Sequence, residues 1–152
     1  MGLKQRIDDD IKTAMKAKDK LRLETVRSIK KLILEKESSV RAQGQDSLSE
    51  DQEMELLLQL AKQRRDAVAQ YQQGGREDLA AQEAQELIMI EAYLPQQLSD
   101  AELEAEIEAL IAQVGATSAK DMGKVMGQAM QTLKGRADGK RVQEWVKAKL
   151  NG

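Results

Sequence analysis

The side chains that could do chemistry in this 152-residue chain are carboxylates, lysines, arginines and seven serines, because it contains neither cysteine nor histidine. That absence removes thiolate nucleophiles, disulfides, Cys/His zinc sites and imidazole acid–base catalysis. Three acidic groups invite a metal or catalytic reading: Asp8, Asp9 and Asp10; Asp51, Glu53 and Glu55; and Glu102, Glu104, Glu106 and Glu108. Neighbouring helical residues point about 100° apart and residues two apart also diverge, so no group converges on one cation from a single helix. They read as solvated faces and as negative charge near helix starts. No G-x-S-x-G is present. Six serines fall in loops or at helix starts, and Ser28, beside Lys30 and Lys31, reads as a solvent-facing mid-helix residue. Neither Gly74-Gly75-Arg76 nor the Gly123/Gly127 pair matches a P-loop or a dinucleotide fingerprint. The expectation is no catalytic residue, no metal and no cofactor.

The cations are more informative. Residues 1–36 carry a net charge of +5, 37–95 of −7, 96–117 of −5 and 118–152 of +5, so a total of −2 conceals two basic ends around an acidic middle. Either end is a candidate surface for an anionic partner. In the second, Lys120, Lys124, Lys134, Arg136, Lys140 and Arg141 accompany the segment GKVMGQAMQTLKGRADGKR. Gly123 and Gly127, each disfavoured by about 1 kcal/mol against alanine inside a helix, continue a small-residue row from Ala119. The expectation is that this row admits the last helix closely, with ligand contact as the alternative. Around Gly135 and Gly139 the cations suit phosphate oxygens or form an ordinary solvated loop after a glycine cap, and the residues alone leave both open.

All of these must be positioned by helices. Tyr71, Tyr93 and Trp145 are the only aromatics and phenylalanine is absent, which favours helix packing by Leu, Ile, Val, Met and Ala. Asp19, Ser49 with Gln52, Ser99 with Glu102, Ser118 with Asp121, and Asp138 mark helix starts, while Gly74-Gly75 and Gly115 mark ends. About seven helices result, with no strand pattern. Pro95, the single proline, separates a helical hairpin domain, 1–95, from a compact three-helix tail, 96–152: an all-α fold with an elongated N-terminal domain. No apolar run reaches the ~20 residues of a membrane span and no secretory leader is visible, so the expectation is a soluble cytoplasmic protein without a membrane partner.

The stretches DDDIKTAMKAKDKLRLETVRSIK, KQRRDAV, GGREDLA, EAQELIMIEAYLPQQLS and SAKDMGKVMGQAMQTLKGRADGKRVQEWVKAKL resemble small helical proteins of the YqeY type, grouped with the B subunit of bacterial glutamyl/aspartyl-tRNA amidotransferase. The resemblance covers nearly the whole chain. It implies a bacterial protein whose three-helix tail is similar to the B-subunit tail, which helps hold misacylated tRNA; Gly123, Lys124, Met126, Gly127, Lys134, Gly135 and Lys140 match that tail's motif. Where the B subunit usually has a proline before its last helix, this chain has Asp138-Gly139. The B subunit's catalytic domain has no counterpart here, so a carbon-nitrogen ligase activity with glutamine as amide donor is an association inherited through the tail.

The leading expectation is a non-catalytic tRNA-binding or adaptor module, with tRNA or a tRNA-processing complex as partner, using the basic tail together with Lys12, Lys16, Arg22, Arg27 and Lys30. So few aromatics argue for reading backbone and shape rather than stacking bases. The alternatives are an accessory role in glutamine-dependent tRNA amidation and a protein-protein scaffold docking through Met122, Met126 and Met130.

Overall fold

A computed structural model describes residues 2–151. The fold is all-α: α1 (Leu3–Ala17), α2 (Lys20–Ala42), α3 (Glu50–Gln73), α4 (Glu77–Glu91), α5 (Asp100–Val114), a one-turn 3-10 helix (Ala119–Asp121), α6 (Met122–Thr132) and α7 (Gly139–Asn151). The chain divides into two units, Met1–Leu94 and Pro95–Gly152.

In the first unit α1 and α2 are antiparallel, as Lys4 with Glu37 at 3.1 Å and Lys30 with Asp8 at 2.7 Å require. Lys18 turns the chain in a left-handed conformation, φ 54°, and the Asp19 carboxylate accepts from the Arg22 amide to start α2. A Ser49/Gln52 capping box starts α3, which at 24 residues is about 36 Å long. α4 returns along it, with Glu83 and Glu86 each 3.4 Å from Arg64. Ile7, Val26, Ile29, Ile33, Leu57, Leu60, Ala61, Ile90 and Leu94 form the core. The end of α4 is latched to α1: the Tyr93 hydroxyl donates to Asp10, and Arg6 donates to the Ala92 carbonyl while lying 5.1 Å from the Tyr93 ring centroid.

In the second unit a Ser99/Glu102 capping box opens α5 and Gly115, φ 71°, closes it. Asp100 pairs with Arg141 at 2.7 Å, and Glu104 and Glu108 with Lys149 at 2.6 and 2.7 Å. Rising numbers pair with rising numbers, so α5 and α7 run parallel, with the α5 acids spaced at i, i+4, i+8 and the two α7 cations at i, i+8. The core joins Leu103, Ile107 and Leu110 of α5, Val125 and Ala129 of α6, Leu133, and Val142 and Val146 of α7. The Ser118/Asp121 pair departs from the expected box. Ser118 accepts from the Lys120 amide and Asp121 from the Thr117 amide, because a tight 3-10 turn precedes α6 and shifts the donors by one residue.

Candidate nucleic-acid interface

The small-residue row of α6 does not pack. Gly123 and Gly127 are exposed, and a Cβ built on either would meet nothing within 4 Å. This corrects the expectation that they admit the last helix. α7 packs instead on the Val125, Ala129 and Leu133 side, because burying branched aliphatic groups removes more apolar area from water than burying a bare backbone. Met122 and Met126 also pack against the core and only Met130, 45% exposed, remains outside, so a three-methionine docking surface is not formed.

The outward glycines leave a cationic helix face. Lys120 and Lys124 are exposed and have no ion pair among the described residues. Lys120, Gly123, Lys124 and Gly127 are linked by three- and four-residue steps, so they form one patch across the 3-10 turn and α6. Lys140, in the first turn of α7, is likewise exposed without an ion pair among the described residues.

The remaining tail cations are engaged. Arg141 donates to the Leu98 carbonyl at 3.3 Å and to Asp100 at 2.7 Å, fastening the start of α5 to α7. The Ser99 hydrogen bonds draw the Glu102 carboxyl down, and the Arg136 charge adds to this. Lys134 is half-buried and takes part in contacts of its own. Gly135 is buried at φ 80°, its carbonyl accepting from Gln97 at 2.6 Å, and the Arg136 carbonyl accepts from the Leu98 amide at 2.8 Å. The loop that could have cradled a phosphate is thus partly occupied by the chain's own segment 97–98.

The basic residues of the first unit sort the same way. Lys30 is held by Asp8, whose carboxyl it pulls down by hydrogen bond and charge, and Arg22 pairs with Asp19 at 3.4 Å. Arg27 and Lys16 are exposed without an ion pair among the described residues, and exposed Lys12 adds to the pull on Asp8. Lys18 and Lys20 in the hairpin turn join this cationic group, and their signal in the sequence is a lysine at every second position from 16 to 20.

Several of the carboxylates make contacts within the fold. Among the described residues none of them form a group of three or more placed to hold a metal ion. Asp10 receives the Tyr93 hydroxyl, whose proton is held well above its ordinary pKa by burial and then by that bond. Glu37 is buried, 3% exposed, between Lys4 and Arg41; its position in the α2 register opposite α1 was the only hint. Burial, followed by the neighbouring Glu83, raises the Glu86 carboxyl, with Arg64 opposing. Ser28 is half-buried rather than solvent-facing, its hydroxyl donating to the Thr25 carbonyl at 2.6 Å, which occupies the proton a nucleophile would have to release.

The chain matches the family described as Yqey-like protein over residues 4–150. It is 36% identical over 107 residues to the "Altered inheritance of mitochondria protein 41, mitochondrial" of Lachancea thermotolerans, covering 69% of this chain and 56% of that protein. The same-named protein of Pyrenophora tritici-repentis is 29% identical over 150 residues, 95% of this chain and 81% of the relative. That of Saccharomyces cerevisiae is 30% identical over 97 residues, 64% and 51% respectively. The chain spans about half the length of two of these relatives, 56% and 51%. All three relatives are fungal, so kinship of this kind does not assign the chain to a bacterium. With a match running nearly end to end over an all-helical chain, the protein belongs to the Yqey-like family.

Proposed function

We propose that this protein is a non-catalytic RNA-binding module whose partner is tRNA or a tRNA-processing complex. The observation that carries the reading is the outward face of the 3-10 turn and α6, where Lys120 and Lys124 stand without ion pairs among the described residues beside Gly123 and Gly127, over which nothing is packed. Lysines supply point charges to phosphates, and a helix face lacking Cβ atoms lets a ribose-phosphate strand approach the backbone closely. The scarcity of aromatic side chains supports backbone recognition: there are three, and two of them, Tyr93 and Trp145, are half-buried against the two cores. No helix of the described residues is long and apolar enough to cross a membrane. In this reading the protein works in the cytoplasm, and the mitochondrial label belongs to the fungal relatives.

The test replaces Lys120, Lys124 and Lys140 together with Gln and leaves the structural Arg141 intact. Binding of tRNA, followed at two salt concentrations, should weaken at low salt, and the slope of log affinity against log salt should fall by about 2–3, close to one per lost phosphate contact. Unchanged affinity and slope would remove the tail from RNA binding. Mixing the protein with an amidotransferase core lacking its own tail addresses the amidation role. Restored amide transfer would make the protein an accessory subunit rather than a free-standing binder.

A further inference from the structure

The hairpin between α1 and α2 departs from three rules of helix stability within a few residues, each time in favour of a cation. Lys18 occupies the left-handed position, φ 54°, and is the only non-glycine with positive φ among the described residues; helices ordinarily end there on glycine. The first turn of α2 holds no acidic residue and instead carries Lys20 and Arg22, opposed to the positive end of the helix dipole. Lys12 and Lys16 are like charges four residues apart on α1, which repel.

Many cations elsewhere in this unit are partnered: Lys4 by Glu37, Lys30 by Asp8, Arg64 by Glu83 and Glu86, and Arg76 by Asp78. Lys16, Lys18 and Lys20 are exposed and have no ion pair among the described residues, while Asp19, the one acid between Lys12 and Arg22, already caps α2 and pairs with Arg22. The helix dipole accounts for Lys16 and Lys18 at the end of α1, but it disfavours Lys20. A turn that retains uncompensated positive charge against its own stability is a place where local rules yield to a partner.

We infer that this hairpin tip, centred on Lys16, Lys18 and Lys20, is a second docking surface for the ribose-phosphate backbone of RNA. The inference rests on the RNA-binding reading above and extends it to the first unit. Backbone phosphates fit because the tip offers point charges and no donor array that would select a base edge. An anionic membrane fits less well, because Leu3, Ile7, Ile11 and Ala14 of α1 are turned toward the unit's own interior and Met15, 54% exposed, is left as a lone apolar residue.

The experiment uses the full chain in four forms: wild type; a hairpin variant with Lys16→Gln, Lys18→Gly and Lys20→Gln; the tail variant described above; and a charge control with Lys31→Gln, Lys36→Gln and Lys62→Gln. The control removes the same charge from exposed positions of the same unit. Binding to tRNA is measured across salt, binding to phosphatidylserine vesicles by sedimentation, and folding by thermal melting. The hairpin variant should bind tRNA at least about fivefold more weakly at low salt, with a slope reduced by about 2–3. The control should change less than twofold, and the melting temperature of the hairpin variant should not fall, since glycine suits the left-handed position. Equal losses in hairpin variant and control would overturn the inference. So would wild-type affinity in the hairpin variant, and if the tail variant fails at the same time the RNA reading survives without it. Vesicle binding that depends on the hairpin while tRNA binding does not would overturn it in favour of a membrane surface. Absence of salt-dependent tRNA binding by the wild type would remove both readings.

Discussion

Replacing Gly127 with alanine should stabilise the second unit, whereas a glycine packed under another helix would make the same change destabilising. Gly127 lies inside α6, is exposed, and presents open space to an added Cβ. Alanine in an unstrained helix interior is favoured over glycine by about 0.8–1 kcal/mol, mostly by restricting the unfolded chain. Gly123, second in the helix, adds less, so the double change should gain about 1.5 kcal/mol. Trp145 is the single tryptophan and packs against the core of this unit, so its fluorescence reports unfolding where the change is made. With a urea m-value of about 1 kcal/mol/M for so small a unit, the midpoint for Gly127→Ala should rise by about 1 M, and that for the double change by about 1.5 M. A midpoint that falls, or does not move, would refute the assignment of these glycines to an open face. If the open face docks RNA, the stabilised double variant should also bind tRNA more weakly, separating the demands of folding from those of binding.

Two further outcomes follow from the cores and from a raised carboxyl. Burial, then the Glu50 and Glu37 charges, holds the Glu53 carboxyl above its ordinary value; the folded state therefore binds that proton more tightly than the unfolded state, and stability declines as pH rises from the ordinary glutamate range through the folded value. Glu53→Gln should raise the urea midpoint by far-ultraviolet circular dichroism at about pH 7 and leave it nearly unchanged at about pH 3, where Glu53 is protonated in both states; a lower midpoint at neutral pH would contradict the sign. Leu133→Ala, at a side chain 1% exposed between the helices of the second unit, should lose about 3 kcal/mol, read by Trp145 fluorescence, and a loss below about 1 kcal/mol would mean that Leu133 is not in a filled core.

Much of the candidate site was visible in the chain before its folding was known, but its division of labour was not. The six tail cations stood out as a group because charge is countable. Three of them, Lys120, Lys124 and Lys140, remain available to an outside partner, while Arg141 is committed to Leu98 and Asp100. Asp100 and Leu98 lie 41 and 43 residues from Arg141 in sequence, separations at which spacing carries no information about contact. Lys30 and Arg22 are similarly claimed, the first across a helix pair and the second by its own cap.

Local order was determined by the sequence alone. The serine boxes at Ser49 and Ser99 close over three residues and the glycine end at Gly115 needs only a positive φ, so their physics is contained in segments shorter than a helical turn or two. The scarcity of aromatics, with no phenylalanine, likewise favours an aliphatic, helix-packed interior, and the absence of cysteine and histidine bars several chemistries whatever the fold. Tertiary structure decided which row of α6 turns inward. Helical periodicity lays Val125 and Ala129 in one row and Gly123 and Gly127 in another, but only packing against α5 and α7 selects between them. The same long-range packing buried Glu37 and set the acid row of α5 against the cations of α7. It thereby left bare glycines, and lysines unpaired among the described residues, on the outside, where a phosphate backbone can reach them.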